Sequence, residues 1–514
     1  MNNHSSTDAD NQESSIRKSR IYGFLTGILL FAIILAIPAP EVIGDKGWKV
    51  IAVVALILSW WISEAIPIPA TSLMPIVLFP LLDIMTIKKT TSSYGHYIVF
   101  LFMGGFVIAL AMEKWNIHKR ISLAILKLTG TKANGIIAGF MLATAFLSMW
   151  MSNTATTVMM LPIASSVLAL IFSSNKSPLD RNNSSISKGE KFFALSLMIG
   201  IAYAANIGGT ATLIGTPPNA VLAGFLQDSF DYQIDFASWV MIGLPFSITL
   251  LIICWLVLTR VVYKNGLGEI EGAHDLIENE WNKLGKMSKG EKIVLTVFIT
   301  TACFWMFKKL LPFPISDTAI AIIAAISLFI IPTDLKRGKF ILIWEDMQRL
   351  PWGILLLFGG GLSIAAAMGE SGLVQVIGSE LSGLSVYGTI TLVLGIIFVV
   401  LMMTEIMSNV ALISVFLPVL AGLSIELTKD PLLFLIPSTL AASCAFMLPM
   451  STPPNAIVFA SGYIKIPQMV KAGVVMNIIS ILLTLLFTFT LVSAVFEIKE
   501  NVMPEWSIQN NLQQ

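Results

Sequence analysis

From residue 21 to residue 497 the chain alternates long apolar runs with short polar loops. Runs such as 22–40, 237–259 and 472–496 reach the about 20 residues that a helix needs to cross a bilayer, and 318–332 approaches it. The pattern predicts an all-α polytopic membrane protein. Residues 1–20 are polar and predict a disordered cytoplasmic N-terminus, ahead of a first transmembrane helix over 21–45. A first block of spans is expected over 46–262. Within it, Pro67 and Pro69 divide residues 50–82 into two short spans. Residues 133–170 are two apolar arms around a polar centre, which predicts a re-entrant hairpin. Residues 174–191 read as a soluble loop. The next span, 193–226, is broken at Gly208-Gly209 and again at Gly215-Thr216-Pro217-Pro218-Asn219. Residues 263–292 predict an amphipathic cytoplasmic connector. A second block, 293–497, carries spans near 293–311 and 317–332, a second hairpin over 388–424, and a break at Ser451-Thr452-Pro453-Pro454-Asn455. A polar tail, 498–514, follows.

The polar centres repeat. Ser152-Asn153-Thr154 has a second copy at Ser408-Asn409-Val410, and 408 − 152 = 256. The same offset pairs Gly104-Gly105 with Gly360-Gly361, Ala111-Met112 with Ala367-Met368, and Pro162 with Pro418. The Thr-Pro-Pro-Asn copies are closer, since 452 − 216 = 236, and the missing 20 residues match the insert at 174–191. Apolar segments match one another cheaply; Asn, Pro and paired Gly do not, so the repeat is real.

Charge gives the repeat its sense. Lys and Arg gather near 118–120, 174–191, 260–292, 336–339 and 465–471, which places those loops inside. Tracing spans between them starts the first repeat outside and the second inside. That is an inverted repeat, the mark of a secondary transporter with a midplane site. It predicts a multi-pass protein of the plasma (inner) membrane, with a cytoplasmic N-terminus and an external C-terminus. Lys308-Lys309 falls outside in this trace, against the rule. Glu64, at the edge of a span, reads as a functional acid or a helix-end one. Glu405, beside the second centre and opposite Met149, is likewise open between a structural and a functional role.

Composition narrows the classes. Of 514 residues 55% are hydrophobic and 12% charged, against about 25% charged in soluble proteins. Net charge is +1 and no basic tract occurs, which argues against a nucleic-acid partner. Cys254, Cys303 and Cys444 stand singly, and His4, His96, His118 and His274 form no cluster, so neither transition-metal spacing nor a disulfide framework is present. No HExxH motif occurs, and no His lies in a polar centre, so an intramembrane enzyme lacks its machinery. No ring of charge marks a channel.

What the polar centres offer is neutral oxygen. Hydroxyls, Asn amides and the free carbonyls of broken helices suit a hard monovalent cation such as sodium, and exposed amides at helix N-termini suit a carboxylate. None of the four centres contains Lys or Arg. A dianion held there needs compensation from bound cations, which would couple the two ligands.

The residues WWISEAIPIPAT, the two Ser-Asn centres, GGTATLIGTPPNAV and MSTPPNAIVFASG resemble the divalent anion/sodium symporter family, the sodium–dicarboxylate cotransporters, over about residues 22–497. The resemblance implies a homodimer in the lipid bilayer, each protomer having about eleven transmembrane helices and two re-entrant hairpins. A scaffold domain would hold a transport domain that moves as an elevator. It implies one sodium site from Ser148, Ser152 and Asn153 with the Gly215 backbone. A second would use Thr404, Asn409 and Ser451 with the Met407 backbone. Asn153, Thr154 and Asn409 would meet substrate carboxylates, with Thr216, Pro217, Thr452 and Pro453 completing the pocket. Val410 stands where many relatives have Thr, which puts the choice between a C4-dicarboxylate and a larger acid such as citrate in question. The expected activity is sodium-coupled import of succinate, malate and fumarate, with sodium as coupling ion and no organic cofactor. A sodium-independent dicarboxylate or citrate/succinate exchanger of the same fold is the alternative.

Overall fold

The computed structural model describes residues 4–174, 187–499 and 502–508. In the first half, α1 (His4–Ala36) packs along α2 (Gly44–Ser63). Short pieces α3 (Ile68–Thr71), α4 (Met74–Leu81) and α5 (Ile87–Ser92) lead to α6 (Tyr97–Lys114) and α7 (Ile117–Thr129). The hairpin of α8 (Ala133–Ser148) and α9 (Asn153–Ser174) follows. Next come α10 (Lys188–Gly209) and α11 (Pro217–Phe230), separated by an unwound segment, and α12 (Phe236–Leu256).

The second half repeats this. After α13 (Ala273–Leu284) come α14 (Lys289–Phe307), α15 (Asp317–Ile330), α16 (Trp352–Glu370) and α17 (Leu373–Glu380). The hairpin of α18 (Thr389–Thr404) and α19 (Asn409–Glu426) precedes the second unwound pair, α20 (Leu432–Ala442) and α21 (Pro453–Ala460). The last long helix is α22 (Ile466–Phe487). The offset of 256 holds at the helix ends: 389 − 133, 404 − 148 and 409 − 153 all give it.

Among the described residues nine helices are long and apolar enough to cross a membrane, accompanied by shorter apolar ones. Large side chains point away from the core along one face of each outer helix, such as Leu25, Leu29 and Ile33 on α1 and Ile478, Leu482 and Leu486 on α22. In water such stripes would drive association; here the bilayer solvates them. The chain is an integral, multi-pass membrane protein.

Local sequence explains the helix starts. The pentapeptide Ser-Lys-Gly-Glu-Lys occurs at 187–191 and 288–292. Each copy forms a capping box that opens α10 and α14, with the Ser hydroxyl on one backbone N–H and the Glu carboxylate on another. The paired glycines are close-packing sites. A Cβ on Gly104 of α6 would lie 2.7 Å from Ala321 of α15, and one on Gly360 of α16 would lie 2.6 Å from the Ser72 carbonyl after α3. Each half thus crosses the other in the same way.

Several expectations change. The first helix begins at His4, so residues 4–20 are helical rather than disordered. Residues 5–22 contain neither Gly nor Pro, and extending a formed helix costs far less than starting one. Pro67 and Pro69 do not leave two short spans: α2 is a full 20 residues, and the second piece is divided again at Ser72-Leu73, with Pro69 and Pro75 in the first turns of α3 and α4. The insert expected over 174–191 lies largely outside the described residues. Glu64 is the left-handed C-cap of α2 and is paired with Arg20 at 3.6 Å, both exposed, which makes it a helix-end acid. Lys308 and Lys309 are neutralised by pairing. Lys308 reaches Asp235 at 2.6 Å and Asp317 at 2.9 Å, and Lys309 reaches Asp235 at 3.1 Å. Burial would raise the Asp235 carboxyl, but hydrogen bonds from both lysines hold it below the ordinary value. The connector helix α13 lies against α7, where Lys119–Glu280 and Lys127–Glu278 pairs flank Trp281. In the tail, Trp506 meets Phe230 edge-on and Tyr232 at a tilt.

Candidate functional site

All four polar centres sit at helix N-termini. α9 begins at Asn153, α19 at Asn409, α11 at Pro217 and α21 at Pro453. The reason is local. Ser152 accepts the Ala155 N–H at 3.2 Å and so caps α9. In Thr-Pro-Pro-Asn the threonines are extended (φ −140 at Thr216, −146 at Thr452), and the prolines occupy first-turn positions where a missing N–H costs nothing. The following asparagines, Asn219 and Asn455, reach back to the unwound segments. Asn219 donates to the Thr212 carbonyl at 2.8 Å, and Asn455 to the Leu448 carbonyl at 3.1 Å and the Ser451 hydroxyl at 3.0 Å.

Each hairpin turn presents the same pair of oxygens. The Ser148 hydroxyl donates to Asn153 Oδ1 at 2.6 Å and lies 2.7 Å from the Ala205 carbonyl of α10. The Thr404 hydroxyl donates to Asn409 Oδ1 at 2.7 Å and lies 2.7 Å from the Ala442 carbonyl of α20. Ser148 and Thr404 are fully buried. In the first half the unwound segment closes over this pair: a Cβ on Gly209 would lie 2.7 Å from Asn153 Oδ1 and 3.0 Å from the Gly215 carbonyl. Asn153 and Gly215 therefore meet at Gly209, Ser148 is tied to them through Asn153, and Ser152 caps the helix beside them. In the second half Ser451 is buried and bonded to the Leu448 carbonyl at 2.7 Å, and Met407 is buried in the hairpin turn. Trp150 fixes the first turn by stacking on Phe236 and Trp305 and meeting Phe298 edge-on.

The two halves complete one another. α21 of the second half packs on α9 and α10, and α11 of the first half packs on α19 and α20. Asn206 on α10 donates to the Thr452 hydroxyl across the halves at 3.0 Å. Four helix N-termini, each carrying roughly half a positive charge, thus belong to one interlocked unit without a lysine or arginine in any of the four centres. Thr216 and Thr452 are buried, Pro217 is half-buried and Pro453 exposed. The two Ser-Asn centres part at their third residue: Thr154 is exposed, whereas Val410 is buried.

Several partners carried no sequence signal of their own. Backbone carbonyls of Ala205 and Ala442 look like any other apolar residue in one dimension. Asn206 was a lone amide in an apolar run. Gly209 stood beside Gly208, and nothing in the chain separates the glycine facing Asn153 from the one facing the Ala145 backbone of α8. A cavity of about 570 Å³ lies at the far end of α11, lined by His96, Tyr97, Asp228, Glu370 and Gln375 among others, and none of the four centres lines it.

The family profile described as sodium:sulfate symporter transmembrane region matches residues 18–497. The sodium-dependent dicarboxylate transporter SdcS of Staphylococcus saprophyticus is 41% identical over 495 residues, covering 95% of this chain and 94% of that protein. The transporter of the same name from Staphylococcus aureus is 42% identical over 490 residues, 94% of this chain and 93% of its own. Among solved structures, the Alcanivorax borkumensis YdaH transporter superposes with a TM-score of 0.51 at 12% identity, over 88% of this chain and 99% of that one. That likeness is one of fold alone.

Proposed function

The chain belongs to the sodium:sulfate symporter family, and we propose that it is a sodium-driven carrier that imports C4-dicarboxylates such as succinate, malate and fumarate. The observation that carries this reading is the interlocked set of four helix N-termini around paired hydroxyl and amide oxygens, with no basic side chain among them. The names of the two staphylococcal relatives support the substrate class and the coupling ion.

In this mechanism a sodium ion takes the Ser148 and Asn153 oxygens, with Ser152 and the Gly215 carbonyl. A second takes Thr404 and Asn409, with Ser451 and the Met407 carbonyl. Where the hydroxyl now donates to the amide oxygen, both oxygens would turn their lone pairs to the cation. Neutral oxygens fit sodium, which needs no fixed carboxylate cage. The dianion then binds between Asn153-Thr154 and Asn409, against the N-termini at Thr216-Pro217 and Thr452-Pro453. Helix dipoles and the two cations compensate its charge. Without the cations the dianion meets only partial charges, so anion and sodium bind together. The protein works as a homodimer in the plasma membrane, its α8–α12 and α18–α22 sets moving as one body.

Uptake of labelled succinate, malate, citrate and sulfate into proteoliposomes, each in sodium and in choline medium, tests the reading. Sodium-stimulated, saturable succinate uptake is expected. Asn153→Ala and Asn409→Ala should each abolish it while the protein remains folded. Uptake that persists unchanged in choline medium would replace symport by exchange.

A further inference from the structure

Glu405 is an acid buried at 3% exposure in the turn of the second hairpin. Its Oε1 accepts the N–H groups of Phe446 (2.8 Å) and Met447 (2.9 Å) and the side-chain amide of Asn477 (2.7 Å). Its Oε2 accepts the N–H groups of Met447 (3.0 Å) and Leu448 (3.1 Å). Among the described residues all its partners are donors and none is charged, which is the pattern of an ionised carboxylate. The backbone it holds is the unwound segment between α20 and α21. Gly473 lets α22 lie close enough for Asn477 to reach it, since a Cβ there would come within 2.5 Å of the Met447 Cα.

The first half makes the same joint without the acid. Positions 149 and 212 correspond to 405 and 448 by the offsets 256 and 236. In the first half the Thr212 hydroxyl donates to the Met149 carbonyl; in the second, the Leu448 N–H donates to the Glu405 carboxylate. Asn219 and Asn455 then bond the carbonyls of Thr212 and Leu448 alike. On the neighbouring helix Gly243 and Gly473 correspond, and Ser247 stands where Asn477 does, since both pairs differ by 230. Ser247 donates to the Ile207 carbonyl, so it holds no acid. The geometry is shared and the charge is not.

We infer that Glu405 is a positioning residue for the second cation site, and that its carboxylate gives this site alone a built-in negative charge. It follows Thr404 directly. Its bond to the Leu448 N–H also holds the residue whose carbonyl the Ser451 hydroxyl and the Asn455 amide share. The two cation sites are therefore unequal, with the second binding sodium more tightly and filling first. This rests on the sodium-symport reading above.

The test measures thermal protection of the purified protein by sodium chloride against choline chloride, without dicarboxylate, beside the sodium dependence of succinate uptake. In Glu405→Gln the side-chain amide faces backbone donors and the charge is gone. The sodium concentration for half-maximal protection should rise about tenfold, the effect of losing a charged hydrogen-bond set. The KM for succinate at saturating sodium should change much less. A merely structural role would lower the melting temperature and leave the sodium midpoint in place, and that result overturns the inference. Should Glu405→Gln fail to elute as folded protein, Asn477→Ala decides: it keeps the charge, removes one donor and should raise the sodium midpoint about threefold. An unchanged midpoint there also overturns it. A wild-type protein that sodium neither protects nor stimulates would instead remove the symport reading.

Discussion

Gly209→Ala places a methyl group against Asn153 and the Gly215 carbonyl, inside the proposed first cation site. The new Cβ would lie 2.7 Å from Asn153 Oδ1, 3.0 Å from the Gly215 carbonyl and 3.2 Å from Asn153 Nδ2. The shortest of these is roughly 0.8 Å inside the about 3.5 Å at which non-bonded heavy atoms rest. Asn153 cannot swing away freely, because its Oδ1 holds the Ser148 hydroxyl at 2.6 Å. Metal-ligand distances are held to about 0.2 Å, so the displacement is several times what a cation site tolerates. Overpacking of this size costs about 1–3 kcal/mol of stability, which a large membrane protein survives. Sodium half-saturation of succinate uptake should rise at least about tenfold, equal to about 1.4 kcal/mol of lost cation binding. The assay is proteoliposome uptake across a sodium titration, with size-exclusion chromatography as the control for folding. Gly208→Ala is the comparison. Its Cβ would meet the Ala145 Cα of α8 at 2.5 Å, a backbone that cannot yield, so loss of folded protein is expected rather than a sodium shift. A Gly209→Ala protein with wild-type sodium dependence would refute the placement of the cation.

Lys308→Met strands the Asp317 carboxylate, which is 5% exposed and, among the described residues, keeps only the Phe236 N–H at 3.0 Å, so stability should fall by about 3 kcal/mol in thermal or denaturant melts. Lys309→Met, whose side chain is 70% exposed, should change little. Val410→Thr adds a hydroxyl beside Asn409 and should lower the KM for succinate about threefold, as one neutral hydrogen bond would. Asp430, in the loop between α19 and α20, has its carboxyl pushed up to about 6 by burial, partly opposed by the Leu432 N–H. The folded state thus binds the proton more tightly than the unfolded one, so this group's stabilisation is complete below about pH 4 and is lost as pH rises through about 6. The melting temperature should fall over that window, and Asp430→Asn should remove that part of the slope.

Read along the chain, apolar run length determined the class, because only a bilayer solvates so many exposed Leu, Ile and Phe side chains. The offset of 256 determined the repeat and both hairpins, since Asn, Pro and paired Gly recur there for reasons of backbone geometry rather than of hydrophobicity. The prolines at 217 and 453 determined where α11 and α21 begin, because a residue without an N–H belongs in a first helical turn. Tertiary structure decided the rest. Only packing distinguishes Gly208 from Gly209, as the two face different neighbours one residue apart. Only the fold brings the Ala205 and Ala442 carbonyls to Ser148 and Thr404, and backbone oxygens leave no trace in residue type. Lys308 and Lys309 had no visible partner along the chain, and only the fold brings Asp235 and Asp317 beside them. Glu405 was the same case: an acid next to a polar centre is undecidable by itself, and its meaning lay in three backbone amides some forty residues away.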